Sequence, residues 1–211
     1  HRCGRHKVAK LMCQSGLKGY PKRRFRGARK GPLTYPFADN LLKQDFTAKG
    51  INERWASDIT FIWTRQGWLY LAVVMDLFSR RIIGWSMDRR VGRHLVVDAL
   101  TMALDQRKDK PAIHHSDRGV QYASDDFRNL LKQEGIQCSM SGVGCCYDNA
   151  PVESFFSLLK RERTRRRTYA TRDEVKADVF DYIECFYNRK RRHGYLNYTS
   201  PMAFEMRTQG P

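Results

Sequence analysis

Three acidic residues in separate segments have the types and spacing of a two-metal phosphoryl-transfer site. Asp58 lies in the apolar, β-rich run W-A-S-D-I-T-F-I-W, Asp117 lies in S-D-R-G-V-Q-Y, and 35 residues separate Asp117 from Glu153. Divalent cations such as Mg²⁺ prefer oxygen ligands, and two of them about 3.5–4 Å apart can stabilise the attacking and leaving oxygens of an in-line displacement at phosphorus. Lys160 follows Glu153 by two helical turns on the same face, where its cation would hold a phosphate beside the metals.

Each acid alone also has an ordinary structural explanation. Asp58 is expensive to bury unless it is paired or metal-bound, so a salt bridge inside the fold is the alternative to a ligand role. The turn residues around Asp117 are typical of a surface turn, and an acid such as Glu153 is common in the first turn of a helix. We therefore predict the catalytic and metal-binding role for the three acids jointly.

Longer stretches around these acids resemble a known family. The stretches are H-H-S-D-R-G-V-Q-Y, D-N-A-P-V-E-S-F-F and F-Y-N-R-K-R-R-H-G-Y-L-N-Y-T-S-P-M-A-F-E. With the D…D-35-E spacing, they resemble the DDE transposases encoded by the second reading frame of bacterial insertion sequences, whose catalytic core is similar to that of retroviral integrases. The resemblance covers the chain from about Arg2 to Glu205.

The resemblance implies an α/β, ribonuclease-H-like fold in which a mixed sheet is flanked by helices. It also implies cleavage and strand transfer at the element ends, with Mg²⁺ or Mn²⁺ as cofactor, as two ions. The expected partner is double-stranded DNA, both element ends and target. A homodimer or higher oligomer is expected when two ends are brought together. A nuclease of the same fold and a domesticated, non-catalytic DNA-binding protein are the alternatives.

Local patterns predict the elements that must position the acids. Strands are predicted at Trp55–Trp63, Trp68–Asp76, Arg81–Met87, Ala112–His115 and Ile136–Met140, and helices at Arg93–Gln106, at Ser124–Glu134, from about Pro151 and at Arg172–Arg192. Short connections between the first three strands indicate an antiparallel meander. The later alternation of strand and helix indicates a mixed sheet.

Four regions follow from composition: a basic N-terminal arm over 1–31, a linker over 32–50, the catalytic core over 51–205 and a tail over 206–211. The arm contains eleven basic residues and no acidic one. The resemblance implies that it is the remnant of a helix-turn-helix region, and a disordered basic arm is the alternative. Because the chain begins with His1 rather than Met, we expect it to be part of a longer protein.

The charge balance indicates a polyanionic partner. The formal net charge is +17, from 39 basic and 22 acidic residues, which favours nucleic acid. No aromatic sheet motif typical of an RNA-binding domain is present. The predicted DNA contacts are Lys22, Arg23, Arg24, Gln121, Asn149, Lys160, Arg161, Arg163, Arg189, Lys190, Arg191 and Arg192. Neither a membrane span nor a signal peptide is apparent, so we expect a cytoplasmic, nucleoid-associated bacterial protein.

The six cysteines do not form the pairs of a disulfide framework or a zinc ribbon. His1, Cys3, His6 and Cys13 together fit no standard zinc-finger spacing, so we expect free thiols.

Overall fold

The computed structural model describes residues 3–17, 37–142 and 146–208 of the 211-residue chain. The chain divides into two units, 1–34 and 35–211. In the first unit, α1 spans Arg5–Gln14 and has no buried residue. Gly16 follows the helix with φ +66°, a left-handed conformation that suits glycine at a helix end. Of the predicted basic arm, Lys22, Arg23 and Arg24 lie outside the described residues.

The second unit contains a five-stranded mixed sheet. Its strands are β1 (Arg54–Thr64), β2 (Gly67–Asp76), β3 (Ile82–Asp88), β4 (Ile113–Ser116) and β5 (Gln137–Met140), in the order β3-β2-β1-β4-β5. β1, β2 and β3 form the predicted antiparallel meander, while β4 runs parallel to both β1 and β5. The prediction of a mixed sheet is confirmed.

The described part of this unit also contains five α-helices: α2 (Arg93–Gln106), α3 (Asp125–Gln133), α4 (Ala150–Glu162), α5 (Arg172–Phe180) and α6 (Pro201–Thr208). The N-cap of α5 is as predicted, because Thr171 Oγ1 accepts a hydrogen bond from the Glu174 N–H. The single long helix predicted to Arg192 is wrong. The chain changes to a π-helical turn at Asp181–Tyr187, and α6 was not predicted. In the described ranges, no helix is long and apolar enough to cross a membrane.

Two apolar clusters cover the two faces of the sheet. On one face, α4, α5 and the π-helical turn pack on β1 and β2 through residues that include Val73, Phe155 and Tyr187. On the other face, α2 and α3 pack through residues that include Leu100 and Phe127. Burial of side chains this large stabilises the fold by roughly 1.5–3 kcal/mol each before the entropy cost of folding. The sheet is therefore a rigid support for residues at its strand ends.

The predicted linker differs from the structure in its described part, 37–50. Leu42 is buried in the first cluster. The Leu41 N–H donates to Ser139 Oγ at 3.0 Å, and the Met140 N–H donates to the Asp39 carbonyl at 3.2 Å. Apolar side chains in this segment find a place on the sheet, so the segment belongs to the core unit and does not act as a spacer.

Candidate active site

Asp58 and Asp117 follow the last pair of residues that joins two parallel strands. β1 and β4 pair from Arg54↔Ile113 to Ser57↔Ser116, and each acid is the next residue in its own chain segment. Because neighbouring strands lie about 4.8 Å apart, Asp58 within β1 and Asp117 just past β4 lie side by side. The end of short β4 therefore brings together two acids that are far apart in sequence.

Glu153 lies in the first turn of α4 and is exposed. Pro151 precedes it in the same turn, as predicted, where a residue without an N–H is well tolerated. The helix is attached to the strand that carries Asp58, because Asn149 Nδ2 donates to the Ser57 carbonyl at 2.9 Å. Asn149 is buried and caps no helix N–H with its side chain.

The three acids interact electrostatically. Burial raises the pKa of Asp58 to about 7, and the negative charges of Asp117 and Glu153 add to that rise. The Ile59 N–H and the Lys160 cation act in the opposite direction. Burial also raises the pKa of Asp117, although its side chain reaches solvent.

The donor set fits a hard divalent cation. Asp58 Oδ1 accepts from the Ile59 N–H at 2.7 Å, and Asp117 Oδ1 accepts from the Gly119 N–H at 2.9 Å. Neither carboxylate forms a salt bridge within the described residues, so each retains oxygen lone pairs for a ligand role. The described part of the chain contains no group of three acidic, histidine or cysteine side chains tight enough to hold a metal. Convergence of all three acids on shared ions therefore stays a prediction.

Lys160 lies on the same helix as Glu153 and faces the site. It is half-buried, and its Nζ lies 5.2 Å from the centroid of the Phe61 ring. Burial lowers the pKa of Lys160, the Arg165 cation lowers it further, and the Asp58 charge acts in the opposite direction. The cation thus lies over the Phe61 ring and within electrostatic reach of Asp58.

Comparison with known proteins identifies the family. Two models described as integrase core domain match residues 48–146 and 153–208. Transposase InsF for insertion sequence IS3fB of Escherichia coli K12 is 50% identical over 205 residues, which cover 94% of this chain and 69% of that protein. The chain belongs to the insertion-sequence transposases with an integrase core domain. Transposase InsF for insertion sequence IS3A of the same strain is 48% identical over 204 residues, with the same coverage of both chains.

Solved structures confirm the ribonuclease-H-like fold of this transposase. The catalytic core domain of HTLV-2 integrase, solved in complex with magnesium, matches with a TM-score of 0.59 and 15% identity, over 76% of this chain and 100% of that one. A chain of the simian T-cell lymphotropic virus intasome, in complex with a PP2A regulatory subunit, matches with a TM-score of 0.64 and 15% identity, over 100% of this chain and 70% of that one. Family membership makes the protein a DNA transposition enzyme that cleaves and transfers strands, with a fold that uses divalent metal.

The predicted DNA-contacting residues fall into two groups in the transposase. Arg163 pairs with Asp178 and Asp181, and Arg191 makes three hydrogen bonds to the Glu162 carboxylate. Both arginines form ion pairs within the protein, and their contact with DNA stays a prediction. The exposed members of the set are Arg161, Arg189, Lys190 and Arg192.

The two polar residues of the set are less accessible. Gln121 is half-buried, and Asn149 is only 4% exposed. The Asn149 amide is bonded to the Ser57 carbonyl, which gives it a positioning role, and its contact with DNA stays a prediction.

A layer of buried polar residues lies behind the site. His114 Nε2 and Ser57 Oγ are 2.7 Å apart, and burial lowers the pKa of His114 to about 3, which keeps the imidazole neutral. Tyr122 is also buried. Its hydroxyl has no hydrogen-bond partner in the described structure, and burial and the charges of Asp58 and Asp117 raise its pKa. In the sequence, such a layer is indicated only by the alternation of side chains between the two faces of a strand near its end.

Asp148 holds the segments around the loop before α4. Its carboxylate accepts from the Gly142 N–H at 2.7 Å, from Asn40 Nδ2 at 2.9 Å and from Gln44 Nε2 at 3.0 Å. These donors lower its pKa, the Gly142 N–H most strongly. The buried Asp148 carboxylate uses these bonds to fix the segment that leads to Glu153.

Proposed function

We propose that this transposase uses Asp58, Asp117 and Glu153 to hold two Mg²⁺ or Mn²⁺ ions and to cleave and join DNA at insertion-sequence ends. The observation that carries the proposal is the register of β1 and β4, which sets Asp58 beside Asp117. The hydrogen bond from Asn149 to the Ser57 carbonyl ties the helix of Glu153 to the same strand. When bound, the ions would supply Lewis-acid stabilisation of the attacking and leaving oxygens.

The protein's own residues contribute position and charge. Water attacks the phosphorus of a phosphodiester at the element end and breaks its P–O3′ bond, which leaves a free 3′ hydroxyl and a 5′ phosphate. That 3′ hydroxyl then attacks a second phosphodiester and breaks its P–O3′ bond, so a new phosphodiester forms and a different 3′ hydroxyl leaves. Lys160 holds the phosphate next to the reacting strand end, which is a positioning role. We expect no covalent protein–DNA intermediate, because no Ser or Tyr lies in a motif typical of such a nucleophile.

DNA binds through exposed cations of the catalytic unit. Arg161 continues α4 beyond Lys160, and Arg189, Lys190 and Arg192 follow the π-helical turn. They contact phosphates and so position the duplex without reading its sequence. Lys22, Arg23 and Arg24 of the basic arm would add further phosphate contacts. Synapsis of two element ends requires at least a homodimer.

Replacement of Glu153 tests the proposal. Purified protein is incubated with labelled element ends and MgCl₂, and cleavage and joining are scored separately. Glu153→Gln should lose both activities, because it removes one negative ligand while leaving the helix and its size unchanged. Glu174→Gln is the matched control, since Glu174 also lies in the first turn of a helix but belongs to α5. Joining by Glu153→Gln at the wild-type rate would refute the assignment.

A further inference from the structure

Three aromatic side chains form an exposed patch on the β1–β2 hairpin, and we call them the aromatic patch: Phe61, Trp63 and Trp68. They are 52%, 57% and 43% exposed, respectively. Trp68 contacts both others edge to face, with ring centroids 5.1 Å from Phe61 and 4.8 Å from Trp63. Large apolar groups left exposed side by side are unusual on a soluble domain and mark a binding surface.

The aromatic patch adjoins the catalytic residues. Phe61 follows Asp58 by three residues, about 10 Å along β1, and projects from the opposite face of the strand. Since β4 pairs with β1 only as far as Ser57, β4 does not cover this edge of β1 from Asp58 onward. Lys160 spans the edge: its Nζ lies over the Phe61 ring, and its charge interacts with Asp58. The aromatic patch and Asp58 therefore lie on opposite faces of β1, at the edge of the strand that β4 does not cover.

The charge around the aromatic patch favours an anionic polymer as its occupant. The sequence from Ile59 to Met75 contains no acidic residue and one cation, Arg65, at the hairpin. Arg165 lies close enough to Lys160 to lower its pKa. Unpaired nucleotides combine flat apolar bases with a phosphate backbone. They therefore match a surface on which aromatic rings and cations lie next to each other.

We propose that the aromatic patch stacks unpaired bases of the DNA strand whose phosphate lies at Lys160 and the catalytic acids. This inference rests on the proposed function, which places the DNA strand at that edge. The aromatic patch would hold the terminal nucleotides once they separate from the complementary strand. It would thereby favour substrates with unpaired or easily opened ends, whatever the base sequence, because every base has a face that can stack.

Binding assays without divalent metal test the inference independently of catalysis. Fluorescence anisotropy in EDTA compares a labelled duplex that carries a three-nucleotide unpaired end with a blunt duplex of the same paired sequence. Trp63→Ala/Trp68→Ala should raise the Kd for the duplex with the unpaired end by roughly tenfold, because stacking on an aromatic ring is worth about 1–3 kcal/mol per base. It should leave the Kd for the blunt duplex within about twofold. Trp63→Phe/Trp68→Phe keeps stacking faces and should restore much of the preference.

Phe180→Ala is the matched control, because Phe180 is 50% exposed and contacts Trp85 edge to face on a surface formed by α5 and β3. It should leave both Kd values unchanged, and circular dichroism checks that all variants are folded. Equal losses on both substrates, or no loss on either, would overturn the proposal. Light scattering that shows a dimer converted to a monomer by the double variant would also overturn it, since the patch would then bind a second copy.

The two proposals fail separately. If Glu153→Gln retains joining while the tryptophan variant loses the preference for unpaired ends, the proposed metal site is wrong and the stacking surface stands. If Glu153→Gln loses joining while the tryptophan variant binds like wild type, only the aromatic patch is wrong.

Discussion

Asn149 Nδ2 donates a hydrogen bond to the main-chain carbonyl of Ser57 across 2.9 Å, and the bond is buried. Asn149 immediately precedes α4, and Ser57 immediately precedes Asp58. The bond joins two segments that are 92 residues apart in sequence. It therefore sets the position of the helix that carries Glu153 relative to the strand that carries Asp58.

Asn149→Ala should weaken both the fold and the reaction. Loss of the donor leaves the buried Ser57 carbonyl unsatisfied, which costs about 1–3 kcal/mol in the free energy of unfolding. Cleavage of element ends should fall while DNA affinity changes little, because the amide is buried and positions α4. Urea denaturation and end cleavage measure the two effects, with Gln133→Ala on exposed α3 surface as control. Normal stability of Asn149→Ala would contradict the role given to this bond.

The raised pKa of Asp58 predicts a pH-dependent stability. Because the pKa is about 7 in the folded protein and 3.8 is its ordinary value, the folded state holds the extra proton between these pH values. Stability from this group is present below about pH 4 and is lost as pH rises through 7. Asp58→Asn should therefore be more stable than wild type at pH 8 in EDTA, by about 4 kcal/mol. The advantage should disappear toward pH 4.

Thermal or urea unfolding of Asp58→Asn and wild type, measured in parallel from pH 4 to pH 8, checks that difference. Mg²⁺ should stabilise wild type most at high pH, where the carboxylate is ionised, and should do little for the variant. A stability difference that stays constant with pH would show that Asp58 is not held in a site that disfavours its charge.

Lys160→Glu should separate joining from folding. The substitution puts a negative charge where the phosphate is expected, beside three carboxylates, so joining of specific ends should be impaired more than nicking of nonspecific DNA. The fold should survive, because the contact of the half-buried Lys160 with Phe61 is worth only about 0.5–2 kcal/mol. Lys132→Glu, at an exposed position in α3, is the matched control. Wild-type joining by Lys160→Glu would refute the phosphate role.

Two adjacent arginines should behave differently when replaced. Arg191→Ala removes the main partner of the Glu162 carboxylate and should lower the free energy of unfolding by about 1–3 kcal/mol. Arg192 is exposed, so Arg192→Ala should leave stability unchanged and weaken DNA binding. Its slope of log Kd against log salt concentration should fall by about 0.9 if one phosphate contact is lost. Equal stability losses would contradict this division.

Local sequence signals predicted most of the elements because they act over a few residues. The helix Arg93–Gln106 was predicted at its observed bounds, since its apolar residues recur at helical spacing. The end of the helix that begins at Arg172 was not found. Its π-helical turn lets Tyr182 and Tyr187 pack on Phe155 from α4, and packing between distant segments leaves no local signal. The same applies to α6, where Glu205 pairs with Arg81 and with Arg107.

The sequence by itself determined the family, the three acids and their order, because these depend on residue types and on spacing along the chain. Only the tertiary structure decided what surrounds them. The same residue type, arginine, is internal at Arg191 and exposed at Arg192, because Glu162 lies opposite the first and solvent opposite the second. The strand register and the short length of β4 set Asp58 beside Asp117 and leave the edge beyond it uncovered by β4. These are relations between segments far apart in sequence, which burial and pairing create only when the chain is folded.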